Sequence, residues 1–401
     1  MKKLSFLFLC IFYLGIGFAA PKPYVILISF DAFRWDYLNR NITPNLEKVR
    51  EDGVSALSLR PAFPSKTFPN HLSIITGMYP SHHGIIANNF YDPFKKQLYR
   101  MQDTNTSRNE RWYLGEAFWE TAERQGITTA SYFWPGSELT DIYRRPTYRE
   151  FFDYSRPDET RLQGVIDWLK LPEEKRPHFI TLYFQDTDTE GHEYGPNSPE
   201  VNEAIKKLDS ITGLLFKKLD EIKMKDSVNV IFVSDHGMTN ISHQKEINIE
   251  KIIGTGKATL GDFGPTMMVF PKKENSQEVY DLLKQNENHY KVYLRNEIPT
   301  YFHYSDNPFI SPIVLIADLG WSLVTNKKFE RKEEGNHGYD NNQLDMQGIF
   351  LAIGPNFKTN YHTGTLWNID IYPLLCEIFN IVPRSNIDGK LERIEFLLKG
   401  H

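Results

Sequence analysis

YVILISFD, residues 24–31, decides the fold. It is a continuous apolar run of strand length that ends on a carboxylate. A strand exposed on one face alternates apolar and polar residues; a strand covered on both faces does not. The pattern recurs in HFITLYFQDTD (178–188) and NVIFVSDHG (229–237), each an apolar run closed by acidic or imidazole side chains. ITTASYF (127–133) and GIFLAIG (348–354) are further runs of strand length. Helical patterns lie between them. TPNLEKVREDG (43–53) has Thr43 placed as N-cap, Pro44 at the first helical position and Gly53 at the end. PEVNEAIKKLDSITGLLFKKLDEI (199–222) is long and amphipathic, and Asn368 to Phe379 is a further helix. This alternation predicts an α/β fold, a mostly parallel sheet covered by helices on both faces. Residues 240–335 are polar and mixed in pattern, and read as an inserted cap or subdomain.

In open α/β sheets ligands collect at the carboxyl ends of strands. Three separate strands therefore deliver Asp31, Asp186 with Asp188, and Asp235 with His236 toward one sheet edge. Each signal alone has a plain alternative. Asp31 suits a turn or a helix cap. DTDTEGHEYGP suits a solvated acidic loop, although Asp188 and His192 are four apart and so share one side of a helical turn. His337, in GNHGYD, has glycine on both sides, which fits a ligand or a flexible loop. Thr67, in PSKTFPNHLSIITGMYPSHHG, precedes an apolar helical pattern. There a hydroxyl is either an N-cap or a group placed at the positive end of a helix, where an anion would be stabilised.

Taken together, the motifs have one reading. SFDAFRWDYL, SKTFPNHLSIITGMYPSHHGIIANNFYDP, FWPGSE, YFQDTDTEGHEYGP, VSDHGM and GNHGYD occur in the order and spacing of the nucleotide pyrophosphatase/phosphodiesterase family, in the alkaline phosphatase superfamily. The chain resembles that family, in its bacterial form, from about Tyr24 to Pro373. The K-T-F-P-N-H segment is the most specific part, and the C/S-x-P-x-R motif of sulfatases is missing.

The resemblance implies an alkaline-phosphatase-like phosphodiesterase domain over residues 21–401, with two Zn2+ ions as cofactors. It assigns Asp188, His192 and His337 to one zinc. Asp31, Asp235, His236 and the Thr67 oxygen go to the other. Thr67 is the implied nucleophile, forming a phospho-threonine intermediate. Asn88 is implied to steady a phosphate oxygen. Phe68, Trp134 and Tyr183, with Tyr148 as a looser match, are implied to form a slot for a nucleotide base. Elementary chemistry agrees with the first part. Asp and His together form a donor set suited to zinc. A threonine hydroxyl needs activation before it attacks phosphorus.

Lys2 and Lys3, an apolar run from Leu4 to Phe18 and then Ala19 and Ala20 read as a signal peptide over residues 1–20. With it removed, Cys376 is the sole cysteine, so no internal disulfide is expected. Export to a bacterial periplasm, or otherwise secretion, is the matching expectation. No later segment has the length and apolarity of a membrane span. A formal charge of −5 disfavours a stable nucleic-acid complex, and the family resemblance implies a small nucleotide or other phosphodiester as partner. Three other readings share these residues: a phosphodiesterase of choline-headgroup lipids, a phosphomonoesterase, and a secreted binding protein that has lost catalysis.

Overall fold

The computed structural model describes residues 22–326 and 333–401; the expected signal peptide lies outside the described residues. An eight-stranded sheet forms the centre. In spatial order its strands are Tyr361–Thr363, Val54–Ala56, Phe350–Ile353, Val228–Val233, Tyr24–Phe30, Phe179–Phe184, Thr129–Tyr132 and Tyr148–Glu150. Tyr24–Phe30 pairs in parallel with Phe179–Phe184 on one side and Val228–Val233 on the other. Thr129–Tyr132 pairs in parallel with both of its neighbours. The strand Phe350–Ile353 is the exception, antiparallel to both strands beside it.

The apolar runs lie in the middle of this sheet because both of their faces are covered. Val25 and Leu27 point into a cluster with Leu72, Ile74 and Ile75 of helix Thr67–Thr76 and with helix Ile371–Phe379. Ile26, Ile28 and Phe30 point the other way, onto helices Pro44–Asp52, Asp158–Leu169 and Pro199–Glu221. Alternate residues of one strand thus feed two separate cores, so the run is apolar except at Ser29, whose buried hydroxyl is hydrogen-bonded to His71.

Helix Pro44–Asp52 has the expected bounds, with Pro44 first and Gly53 at the C-cap. Its cap differs from the expectation. Thr43 makes no side-chain capping hydrogen bond. Instead the Asp209 carboxylate, from the long helix Pro199–Glu221, accepts from the backbone N–H groups of Asn45 and Leu46 at 3.0 and 2.8 Å. A carboxylate at a helix N-terminus satisfies the free donors and complements the dipole, and here it also ties two helices together.

Between Val228–Val233 and Phe350–Ile353 the chain builds a second sheet. It has four antiparallel strands, in the order Ala258–Gly261, Thr266–Pro271, Ile313–Ala317, Tyr290–Leu294. Met267 and Val269 face an apolar cluster with helix Ser276–Gln285, while Met268 and Val314 join the cluster beneath helix Thr67–Thr76. No helix among the described residues is long and apolar enough to cross a membrane.

Candidate active site

The carboxyl ends of the three central strands converge as their sequences require. Asp31 follows Phe30 directly and is buried. Asp235 and His236, just past Val233, are buried completely. The stretch after Phe184 turns into helix Asp186–Tyr194, which puts Asp188 and His192 on one face a turn apart. His337 follows the short strand Gly335–Asn336, which pairs with Thr239–Asn240. That pairing brings Gly335 against helix Asp186–Tyr194 so closely that a Cβ there would lie 2.2 Å from the Gly191 carbonyl oxygen. Glycine at 335 is therefore needed to seat His337 beside His192. Asp186 is not part of the cluster; its carboxylate binds Lys207 at 2.5 Å.

Two triads result. Asp188, His192 and His337 form one, Asp31, Asp235 and His236 the other, each with its donor atoms within 4.8 Å of one another. Their rings join the two: His236 and His337 stack with centroids 3.6 Å apart. Thr67 opens helix Thr67–Thr76, and its Oγ1 lies 3.3 Å from His236 Nε2.

The hydrogen bonds around the triads fix the tautomers. Nδ1 of His192 faces the Gly335 carbonyl at 3.0 Å, Nδ1 of His236 faces Gly237 O at 2.9 Å, and Nδ1 of His337 faces Ser65 O at 2.8 Å. A carbonyl only accepts, so each Nδ1 carries the hydrogen and each Nε2 presents a lone pair to the cluster. The carboxylates present lone pairs as well. Asp31 Oδ1, Asp188 Oδ1 and Asp235 Oδ2 are buried with no hydrogen-bond partner among the described residues. Burial, with the charges of Asp235 and Asp188 next in weight, pushes the Asp31 carboxyl well above its ordinary range. Buried acceptors converging on acceptors need a cation, and the donor set of three Asp and three His fits a borderline metal such as zinc.

The groups around Thr67 are also placed. The Phe68 N–H donates to Asn88 Oδ1 at 3.0 Å. Because only the amide oxygen accepts, Asn88 Nδ2 is the end left free for an anion. Lys66, just before Thr67, forms a buried ion pair with Asp262, which belongs to the loop joining two strands of the second sheet. Its stem runs past Gly338, where a Cβ would come within 2.8 Å of Lys66 Cε.

The aromatic slot differs from expectation. Trp134 is completely buried; its Nε1 donates to the His71 carbonyl at 3.2 Å, and its ring meets the His71 ring edge-on. Tyr148 belongs to the edge strand Tyr148–Glu150 and packs near Trp168, in the cluster on the sheet face opposite the one that Phe68 packs against. The Trp134 ring has no face to offer a base, and Tyr148, though half-buried, lies on the other side of the sheet from Phe68. Tyr183 borders the site, but its hydroxyl donates to Asp31 Oδ2 at 2.6 Å, so it holds a carboxylate. Phe68 is half-buried beside Thr67. Phe152, which the sequence did not single out, is 46% exposed, and its ring lies 6.2 Å from that of Tyr183. EFFDY carries no local signal separating a site aromatic from a surface one; only the neighbour Tyr183 does.

Residues 25–340 match the family model described as Type I phosphodiesterase / nucleotide pyrophosphatase. The chain belongs to this family. It is 36% identical over 380 residues to the Xenopus laevis bis(5'-adenosyl)-triphosphatase enpp4, covering 94% of this chain and 82% of that protein. It is also 36% identical over 398 residues to human ectonucleotide pyrophosphatase/phosphodiesterase family member 1, covering 96% of this chain but 42% of that longer protein. Among solved structures, murine ectonucleotide pyrophosphatase/phosphodiesterase 5, as an inactive threonine-to-alanine variant in complex with AMP, superposes with TM-score 0.90 at 33% identity, covering 94% of this chain and all of the other. The family resemblance and the alkaline-phosphatase-like α/β fold expected from the motifs therefore hold.

Proposed function

We propose that this chain is an exported, two-zinc phosphodiesterase that splits nucleotide phosphodiester or pyrophosphate bonds and releases a nucleoside monophosphate, with Thr67 as nucleophile. The observation that carries the proposal is the placement of Thr67 at a helix N-terminus, beside two converging Asp/His triads in which Asp31 Oδ1, Asp188 Oδ1 and Asp235 Oδ2 have no hydrogen-bond partner among the described residues. The relative that is inactive with its threonine changed to alanine supports a threonine role.

Asp188, His192 and His337 would hold one zinc, and Asp31, Asp235 and His236, with Thr67, the other. When bound, the ions supply Lewis-acid stabilisation of phosphate charge and lower the pKa of coordinated oxygens. The chain's own groups do the rest. Thr67 Oγ1 attacks phosphorus in line; the bond to the leaving oxygen breaks, and an alcohol or pyrophosphate departs. The product is a phospho-threonine diester. Water then attacks phosphorus, the bond to Thr67 breaks, and nucleoside monophosphate is released with the hydroxyl restored. Asn88 Nδ2, held outward by the Phe68 N–H, donates to a non-bridging oxygen whose charge grows in the transition state. Tyr183 holds Asp31 in place through its hydroxyl. Phe68 and Phe152 supply the apolar surface for a base.

Rates with a nitrophenyl nucleotide diester, nitrophenyl phosphate and nitrophenyl phosphocholine, measured side by side, test the reading. The nucleotide diester should be cut fastest. Preference for the phosphocholine ester would move the assignment to lipid headgroups, and preference for the monoester would move it to a phosphatase.

A further inference from the structure

The side chain of His71 has a structural position that its motif does not disclose. It lies one helical turn after Thr67 and is completely buried. Its Nδ1 is 2.9 Å from the Thr67 carbonyl oxygen and 3.3 Å from Asp235 Oδ2. Its Nε2 is 2.8 Å from Ser29 Oγ. The carbonyl can only accept, so Nδ1 carries the hydrogen, and Nε2 accepts from the Ser29 hydroxyl. The hydrogen goes to the Thr67 carbonyl; the contact with Asp235 is electrostatic, the positive N–H edge facing a carboxylate oxygen that has no hydrogen-bond partner among the described residues.

The ring has one orientation available. Trp134 and Tyr183 meet it edge-on at centroid distances of 5.0 and 5.2 Å. Trp134 also holds the His71 backbone through its indole N–H. Three elements thus meet at one imidazole: the helix of Thr67, the strand of Ser29 and the strand end bearing Asp235. A residue that only filled this space would need no polar atoms, whereas each nitrogen here has a defined partner.

We propose that His71 is a positioning residue that sets Thr67 and the Asp235 carboxylate relative to one another, a role that rests on reading Thr67 as the nucleophile. Nδ1 is the nitrogen that acts, since it alone faces both groups. Nε2 anchors the ring to Ser29. Groups that orient a ligating carboxylate typically change metal affinity or activity 10- to 100-fold when removed.

The two nitrogens can be separated by substitution. In His71→Asn the side-chain amide reaches the place of Nδ1; in His71→Gln it reaches the place of Nε2. Four quantities are measured for each variant: kcat, KM, zinc affinity by competition with a chromophoric chelator, and Tm. His71→Asn should stay within a few-fold of the unaltered protein. His71→Gln should lose roughly 10- to 100-fold in both kcat and zinc affinity, with KM little changed. Equal behaviour of the two variants, or losses that follow Tm while zinc affinity stays native, would overturn the proposal and leave His71 as a packing residue. Thr67→Ala, run in parallel, tests the nucleophile separately. Turnover retained there overturns that reading, whereas the Asn/Gln contrast in zinc affinity answers for His71 either way.

Discussion

The Nε2 atoms of His192 and His337 lie 3.1 Å apart, while the Nδ1 atoms of both rings are taken up by backbone carbonyls. Two lone pairs at that separation repel unless a cation lies between them and Asp188, which is 3.4 and 3.5 Å from the two nitrogens. Activity should therefore vanish on thorough chelation and return with zinc more fully than with magnesium. Elemental analysis should find about two zinc ions per chain, as in paired-metal hydrolases. Full turnover in a metal-free sample would rule this out.

The aromatic residues divide by exposure. Phe68→Ala and Phe152→Ala should each lower kcat/KM for a nucleotide diester by roughly five- to a hundredfold, since stacking on a base contributes about 1–3 kcal/mol. A small diester without a base should be nearly unaffected. Trp134→Ala should act differently. Its ring is fully buried, so the change should cost about 3–5 kcal/mol of stability and harm both substrates alike. Urea unfolding and the two-substrate comparison check both statements. Equal losses on the two substrates for Phe68→Ala would make Phe68 a core residue.

The Lys66–Asp262 pair joins the second sheet to the residue before Thr67, with side-chain exposures of 7% and 4%. Thr266 Oγ1 donates to the other Asp262 oxygen at 2.7 Å. Removing one partner leaves a buried charge uncompensated, so Lys66→Met should destabilise the fold by about 3–5 kcal/mol. The double variant Lys66→Met with Asp262→Leu should recover much of that loss. Denaturant midpoints measure both. A single-variant loss below about 1 kcal/mol would show that the pair is not closed in solution.

Stability should also carry a pH signature at His82. Its Nδ1 contacts Asp388 at 2.8 Å, and that hydrogen bond raises the imidazole above its ordinary value of 6.5. Burial pushes the Asp388 carboxyl upward, but the bonds from His82 and the Tyr79 N–H outweigh it and hold it below 3.8. The His82 contribution is complete below 6.5 and is lost as pH rises through the raised folded value; the Asp388 contribution is lost as pH falls below its ordinary value. The Tm difference between the unaltered protein and His82→Gln should thus be larger near about pH 5 than near about pH 9. A difference that grew toward high pH would contradict the pairing.

What the sequence disclosed follows from range. YVILISF was legible because burial on both faces leaves a continuous local mark, and its observed bounds are those read from it. Asp31, Asp188, Asp235 and His236 were legible because strand ends are where a parallel sheet gathers its ligands. The misreadings all involve partners distant in sequence. Thr43 looked like a cap because Asp209 is 166 positions away, and nothing near Thr43 announces it. Trp134, and Tyr148 as a looser match, were slot residues only by what the family resemblance implied, and their exposure depends on what packs over them. His71 stood in the quoted K-T-F-P-N-H motif, four residues from Thr67; a turn of helix predicts that they are neighbours, yet only the fold brings Ser29 and Asp235 to the same ring.

The covalent role of Thr67 is tested most directly by the stereochemical course at phosphorus. A nucleotide diester made chiral by sulfur and an oxygen isotope is hydrolysed, and the configuration of the nucleoside monophosphate product is determined. Attack by Thr67 and then by water gives two in-line displacements, each inverting the centre, so the account predicts net retention. Net inversion would mean a single displacement by water, with no bond ever formed to Thr67.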